Sequence, residues 1–438
     1  MGEDVNKYNN NQCGEKLVFN VGDIVTGYKI EAKIDEGGFG QVFRVLEEGK
    51  VYAMKIESNK LEGGSAIKLE IDVLKDLQMR KVPNFPQVVR AGRKRRFHFI
   101  VMELLGDNLH HIKYRSPNQD SFSVGTWTRI GIQCLYVVKL LHDNGFLHRD
   151  LKPQNFGLGP VDDYLKKRLI YLFDFGLARR FVNRNSPSRA NSPIKSSGLS
   201  SENQKDVGKI KVSDYRWRIA RPRSDFRGTQ MYASPNAHDF KELGRADDVW
   251  SLMFMLAGFI KELPWATVPD NDLANVKKSA KLSEMLKDES FAKVEENLRS
   301  CDYYTFPDYD LAYNTLKSIM DKNGIGWNDP YDWEMKDSPG FVLWKLEKLR
   351  KNVVYIWEDP KDFFKVNVWE NLERPIKVAK KGGSGEAVSC GAKKEKEKDD
   401  VTKDYTFDEK SIRAKLRAAE RKKKSKKKSS AKSKYSIF

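Results

Sequence analysis

The chain has 438 residues, 39% of them hydrophobic, and a formal charge of +18. That apolar content is enough for a large core, so wholesale disorder is excluded, and the length suggests two or three domains. The longest apolar stretch, Trp250 to Ile260, is too short to span a bilayer, and the polar start Met1-Gly2-Glu3-Asp4 does not read as a signal peptide.

Taken in chain order, residues 1–21 are Asn-rich and polar and read as a disordered arm. Short strands are expected around a glycine turn: Tyr28-Lys29-Ile30, then Gly37-Gly38-Phe39-Gly40, then Gln41 to Val45, followed by Val51 to Ile56. Apolar residues at Ile67, Ile71, Leu74 and Leu77 predict a helix over 66–77. Phe97 to Leu105 reads as a buried strand. Helices follow at Gly125–Asp143, Ala246–Lys261, Leu273–Leu298 and Asp310–Asn323. Seven serines within 186–201 mark an insert without core residues, in a Ser/Arg-rich segment of about 183–225. Seven aromatics within 335–376 predict an extension that packs back on the main body. Gly382-Gly383-Ser384-Gly385 opens a flexible Lys-rich tail, 377–438.

The charge is local. Residues 377–438 carry 21 Lys+Arg against 9 Asp+Glu, and 177–235 carry 13 against 4, so the remainder of the chain is slightly acidic. Four cysteines (Cys13, Cys134, Cys301, Cys390) lie far apart, which fits reduced thiols in the cytosol or nucleus. The histidines show no ligand spacing, and no zinc site is expected.

The strongest chemical signal is His148-Arg149-Asp150-Leu151-Lys152-Pro153-Gln154-Asn155, followed by Asp174-Phe175-Gly176. Upstream stand Lys55, in Tyr52-Ala53-Met54-Lys55, and Glu70 on the next helix. In this order and spacing the residues resemble those of a eukaryotic protein kinase. Three further stretches narrow the resemblance: Met102-Glu103-Leu104-Leu105-Gly106, Tyr232-Ala233-Ser234-Pro235-Asn236, and Gly244-Arg245-Ala246-Asp247-Asp248. With Asp302-Tyr303-Tyr304 and Asp329 to Glu334, they look like the tau-tubulin kinase-like branch of the casein kinase 1 group.

That resemblance implies an α+β, bilobal protein-kinase fold over about 22–334, with a small β-rich N-lobe of five strands and one helix, a large helical C-lobe and ATP between them. It implies transfer of the ATP γ-phosphate to Ser or Thr of a protein. Little of that chemistry is covalent work for the protein; positioning and charge neutralisation dominate. Asp150 would accept or orient the substrate hydroxyl proton, and Lys152 would reach the γ-phosphate. Lys55 would hold the inner phosphates and Glu70 would hold Lys55. Asn155 and Asp174 would bind Mg2+ as hard oxygen ligands. Ile34, Gly37, Gly38, Gly40, Val42, Ala53 and Met102 would line the nucleotide, with backbone hydrogen bonds to adenine from Glu103 and Leu105. Asp248 would pin the catalytic loop from below.

Asp35 stands where the family's first loop glycine belongs. With Glu36 it should weaken ATP binding by at most about 1 kcal/mol. Arg216, Arg218, Arg221, Arg223 and Arg227 would attract an acidic or already phosphorylated protein substrate. The run Arg421 to Lys428 would meet an acidic protein tail, a nucleic acid or an anionic membrane surface, or simply be solvated. The chain is expected to be a monomer, cytoplasmic or nuclear. Two rival readings stand: a pseudokinase scaffold, and a binding protein that works through its basic tail.

Overall fold

The computed structural model describes residues 17–37, 40–59, 65–160, 162–163, 165–185, 210–335, 357–375 and 404–406. The N-terminal arm to residue 16, Gly38, the Ser-rich stretch 186–201, the aromatics Phe341, Trp344 and Tyr355, and the tail apart from 404–406 lie outside them. The chain divides into two compact units. The first holds Met1–Ile71, Gln87–Leu104 and Lys396–Phe438; the second holds Asp72–Pro86 and Leu105–Glu395.

The first unit is built on one sheet. Its strands are β1 (Ile24–Val25), β2 (Tyr28–Gly37), β3 (Gly40–Glu47), β4 (Lys50–Ser58), β5 (Val88–Arg93) and β6 (Phe97–Glu103), in the spatial order β1-β2-β3-β4-β6-β5. Successive side chains of a strand point to opposite faces, so each strand sends alternate residues into the core. Tyr28, Ile30, Phe43, Val45, Met54, Ile56, Phe99 and Val101 meet there. β4 is buried on both faces, and its second face carries Lys55 and Glu57. Glu57 Oε2 accepts the Ile67 N–H at 3.0 Å, so a carboxylate sits on the first turn of α1 (Ala66–Met79), where the helix dipole favours it. The buried stripe of α1 is Ile67, Glu70, Val73, Leu74 and Leu77; it includes one carboxylate, and Ile71 is only half-buried.

The second unit is mainly helical: α2 (Leu109–Arg115), α3 (Val124–Asp143), α4 (Pro235–His238), α5 (Arg245–Ile260), α6 (Asp270–Ser279), α7 (Leu282–Leu286), α8 (Phe291–Ser300) and α9 (Tyr309–Lys322). All of α5 except Gly258 and Ile260 is buried, which makes it a core helix. Among the described residues no helix is long and apolar enough to cross a membrane. At Gly131 of α3 an added Cβ would come within 3.0 Å of Leu256 on α5 and 3.3 Å of Leu316 on α9, so glycine allows the three helices to close up.

Short strand pairs carry the loops of this unit: β7 (Phe146–Leu147) with β10 (Arg179–Arg180), β8 (Phe156–Leu158) with β9 (Ile170–Leu172), and β11 (Val182–Arg184) with β12 (Tyr215–Trp217).

Two expectations need correction. The single helix expected over Leu273–Leu298 is three helices, because Ala280 turns extended and Lys287 adopts a left-handed φ of 57°. Asp288 then accepts the Ser290 N–H in place of a helical carbonyl. The strand-rich unit also has more than five strands. β1 adds one edge, and β13 (Asp404–Thr406), from the segment read as a flexible tail, pairs antiparallel with β5. β5 would otherwise present an open edge, which readily takes up a further strand. Of the extension's aromatics, Trp357 and Phe363 pack on Tyr136 and Phe364 stacks on Tyr313 at 4.9 Å.

Candidate active site

In the first unit the glycine turn is a β2–β3 hairpin closed by the pair Gly37 and Gly40. Gly40 has φ +126°, and a Cβ there would lie 2.2 Å from the Ile56 carbonyl oxygen, so no other residue fits. Ile34 is exposed, while Val42 and Ala53 are half-buried. Gly38 lies outside the described residues. Asp35 accepts the Glu36 N–H at 2.8 Å, and Glu36 is paired with Lys33 and Gln41, which offsets part of the acidic pair's charge.

Lys55 Nζ lies 2.8 Å from Glu70 Oε2, both side chains nearly out of water. Removing one partner of such a pair leaves the other charged and buried, which is strongly unfavourable. Met102 is buried opposite Ala53 in the β4–β6 register. The Glu103 N–H already donates to the Gln87 carbonyl. Leu105 belongs to the second unit, where it forms a bridge with Pro160.

In the second unit β7 leads into the catalytic loop. Buried Asp248, near the start of α5, accepts the N–H groups of His148 and Arg149, each at 2.8 Å, and bonds His142 Nε2 at 2.8 Å. Burial alone would raise its pKa, but these hydrogen bonds hold it below the ordinary carboxylate value. Arg149 has φ +67° and Asp174 φ +62°, left-handed values unusual for non-glycine residues. Strain of this kind persists only when neighbours enforce it; for Arg149 the enforcing group is Asp248.

Asp150 is 8% exposed and makes two side-chain contacts. Thr229 Oγ1 donates to its Oδ1 at 2.7 Å, and Lys152 Nζ lies 2.9 Å from its Oδ2. Lys152 also donates to Thr229 Oγ1 at 3.2 Å, closing a three-residue ring. Asn155 Nδ2 donates to the Asp150 carbonyl at 2.8 Å, so its amide oxygen is the atom available to a cation. The Phe173 N–H donates to the Asn155 carbonyl, tying the segment that carries Asp174 to the loop that carries Asn155. An amide oxygen and a carboxylate suit a hard divalent ion that keeps waters and substrate phosphates as its other ligands.

Four contributors to this site were not assigned roles in the sequence. Thr229 is one. Gly228 is the second: it has φ +103°, and a Cβ would lie 2.6 Å from the Arg149 carbonyl. Asp247 is the third; it accepts from Ser234 Oγ at 2.7 Å and Asn236 Nδ2 at 3.0 Å, anchoring the Ser-Pro-Asn stretch. Pro235 in that stretch is the first residue of α4 behind an N-cap serine, a position that favours proline.

Lys277 is the fourth. Fully buried, it donates to the carbonyls of Gln230 and Ala233, while Trp265 Nε1 donates to Met231 O at 2.8 Å. Burial pushes the Lys277 pKa down to about 7. A base whose folded pKa lies below its unfolded one makes stability rise with pH between the two values, since only the unfolded chain still binds the proton. Wild type should therefore gain stability relative to Lys277→Met from about pH 7.5 to about pH 9, at up to about 1.4 kcal/mol per pH unit, as read by urea unfolding. An equal slope in the two proteins would contradict this.

The arginines expected to be free for substrate are not equivalent. Glu242 is buried against Arg221 (3.2 Å from Nη2) and Arg179 (3.4 Å). Burial would raise its pKa, and these guanidinium groups bring it below the usual value. Arg221 is thus already engaged, and Arg223 lies over the Phe240 ring. Arg216, Arg223 and Arg227 are exposed and Arg218 is half-buried.

Comparison with known proteins agrees with this geometry. The family description "Protein kinase domain" matches residues 28–322, which span both units. The chain belongs to the protein kinase family. It is 32% identical over 333 residues to a probable serine/threonine-protein kinase of Dictyostelium discoideum, covering 74% of this chain and 60% of that protein. It is 33% identical over 314 residues to a putative serine/threonine-protein kinase of Caenorhabditis elegans (70% and 82%). It is also 34% identical over 280 residues to a worm protein named inactive tau-tubulin kinase (61% and 87%). A putative casein kinase I of the same worm is 31% identical over 320 residues. These relatives make the chain a serine/threonine kinase of the casein kinase 1 group, tau-tubulin kinase-like. As a kinase, it uses ATP and acts on proteins.

Proposed function

We propose that this kinase transfers the γ-phosphate of Mg-ATP to Ser or Thr in acidic or already phosphorylated proteins. Asp150 orients the substrate hydroxyl and takes its proton. Thr229 and Lys152 fix the Asp150 carboxylate, and Lys152 supplies positive charge where the phosphoryl group moves. Lys55, held by Glu70, binds the inner phosphates. Asn155 and Asp174 would hold Mg2+, and the ion when bound would supply positive charge to the ATP phosphates. Ile34, Gly37, Gly38, Gly40, Val42, Ala53 and Met102 enclose the nucleotide, with Glu103 and Leu105 at the adenine edge.

The observation that carries the transfer reading is the ring of Asp150, Lys152 and Thr229. One relative's name calls that protein inactive. Here each polar residue that the transfer needs is present: Lys55, Glu70, Asp150, Lys152, Asn155 and Asp174. That favours the enzyme over the scaffold.

Substrate preference rests on the exposed Arg216, Arg223 and Arg227. Each charge-assisted bond to a phosphate or carboxylate is shorter and stronger than a neutral one. A peptide-library profile of the full chain tests this. Peptides with acidic or phosphorylated residues near the acceptor should be favoured over neutral ones, and a preference for basic-flanked peptides would overturn it. The lysine-rich run Arg421 to Lys428 supports an acidic partner for the tail, and we read the protein as a monomer of the cytoplasm or nucleus.

A further inference from the structure

The segment that follows Asp174-Phe175-Gly176 includes β11 and, on the far side of the insert, β12. The two strands pair in register: Val182 with Trp217, Asn183 with Arg216, Arg184 with Tyr215. They form the stem of the insert. Two residues of the C-terminal extension grip it.

Trp369 is buried (2% exposed), with its ring edge-on to Tyr215 at 5.3 Å and to Phe181 at 5.9 Å. Its indole N–H donates to the His142 carbonyl at 2.9 Å. The ring of that same His142 bonds Asp248, which holds the catalytic-loop backbone. Three residues further on, the Leu372 carbonyl accepts the Trp217 indole N–H at 2.9 Å. A Cβ on Gly145 would sit 2.6 Å from Val182 and 3.4 Å from Trp369, so the bare glycine makes room for both.

From the stem the contacts continue to the end of α1. Arg80 Nη2 donates to Tyr215 Oη at 2.9 Å, and Asp76 pairs with both Arg80 (3.1 Å) and Arg180 (3.2 Å). The extension therefore bears on the activation-segment stem and on the support of the catalytic loop at once.

We propose that Trp369 is a positioning residue for phosphoryl transfer. By clamping the β11–β12 stem and the His142 carbonyl, it sets the activation segment that carries Thr229. This makes the extension, which lies beyond the matched kinase domain, a working part of the enzyme. The proposal rests on the kinase activity, and one of its readouts is independent of that activity.

The test uses the full chain with casein as phosphoacceptor. Trp369→Ala should lower kcat at least tenfold and leave the KM for ATP within twofold. Trp369→Phe, which keeps a ring against Tyr215, should recover kcat to within about threefold of wild type. Amide exchange in 179–184 and 212–218 should speed up in Trp369→Ala. Phe291→Ala removes a fully buried ring from α8 and serves as a stability control; its kcat and its exchange in the stem should match wild type. If Trp369→Ala gives no folded protein, Trp217→Phe carries the test, with faster exchange in 212–218 and a loss of kcat of about threefold. A kcat within twofold of wild type and unchanged exchange, in Trp369→Ala or in its substitute Trp217→Phe, overturns the proposal. So does an equal loss of kcat in Phe291→Ala.

Discussion

Asp150→Asn should lower kcat by about 10²- to 10⁴-fold, the contribution of a positioned proton acceptor. The fold should barely notice. The new amide oxygen can still accept from Thr229 Oγ1, which lies 2.7 Å from Oδ1 in the wild type. The amide nitrogen would face the Lys152 ammonium, but that side chain is 23% exposed and can turn to water. The KM for ATP should stay within a few-fold, because Lys55 and Glu70 form their own pair on a different part of the chain. Steady-state kinetics and a thermal melt on the same preparation check this. A large fall in melting temperature would mean that Asp150 is chiefly structural. A kcat near wild type would remove it from the chemistry.

Asp248→Asn should cost both stability and rate. The carboxylate serves three donors: the N–H groups of His148 and Arg149, and His142 Nε2. An amide has one acceptor oxygen, so at least one donor would face an N–H2 group. The site is fully enclosed (Asp248 is 2% exposed), so water cannot repair the mismatch. Disrupting a buried charged network of this kind costs about 3–5 kcal/mol. Arg149 would also be released from its φ of +67°. Relaxation there moves the next residue, Asp150, and a shift of about 1 Å in a catalytic group can cost about 10²-fold in rate. Denaturant unfolding and kcat should therefore fall together in this variant, whereas Asp150→Asn should lose only kcat.

The catalytic loop was legible because its residues are contiguous: His148 to Asn155 is one short run, and Asp174 follows nearby. Lys55 and Glu70 were legible through the resemblance to protein kinases, which place a lysine on a strand and its glutamate partner on the next helix. The residues that sequence reading missed have distant partners. Thr229 meets Asp150 across 79 residues, and Lys277 meets Ala233 across 44. No local period or motif reports such a contact. Glu242 was missed for the same reason, and with it the fact that Arg221 is already engaged.

The helical run at 273–298 misled because its apolar spacing continues through two breaks made by backbone conformation and by Asp288. The aromatic density of the extension suggested packing. That Trp369 grips the two ends of the insert could not be read, since Val182 and Tyr215 come together only in the fold.

The most direct test of the account is label transfer. The full-length chain is incubated with Mg2+, γ-labelled ATP and casein, beside an Asp174→Ala control that lacks one of the two proposed metal ligands. Wild type should phosphorylate casein on serine or threonine, and the control should not. Labelling by wild type no higher than by Asp174→Ala would contradict the account and make the chain a scaffold with the shape of a kinase.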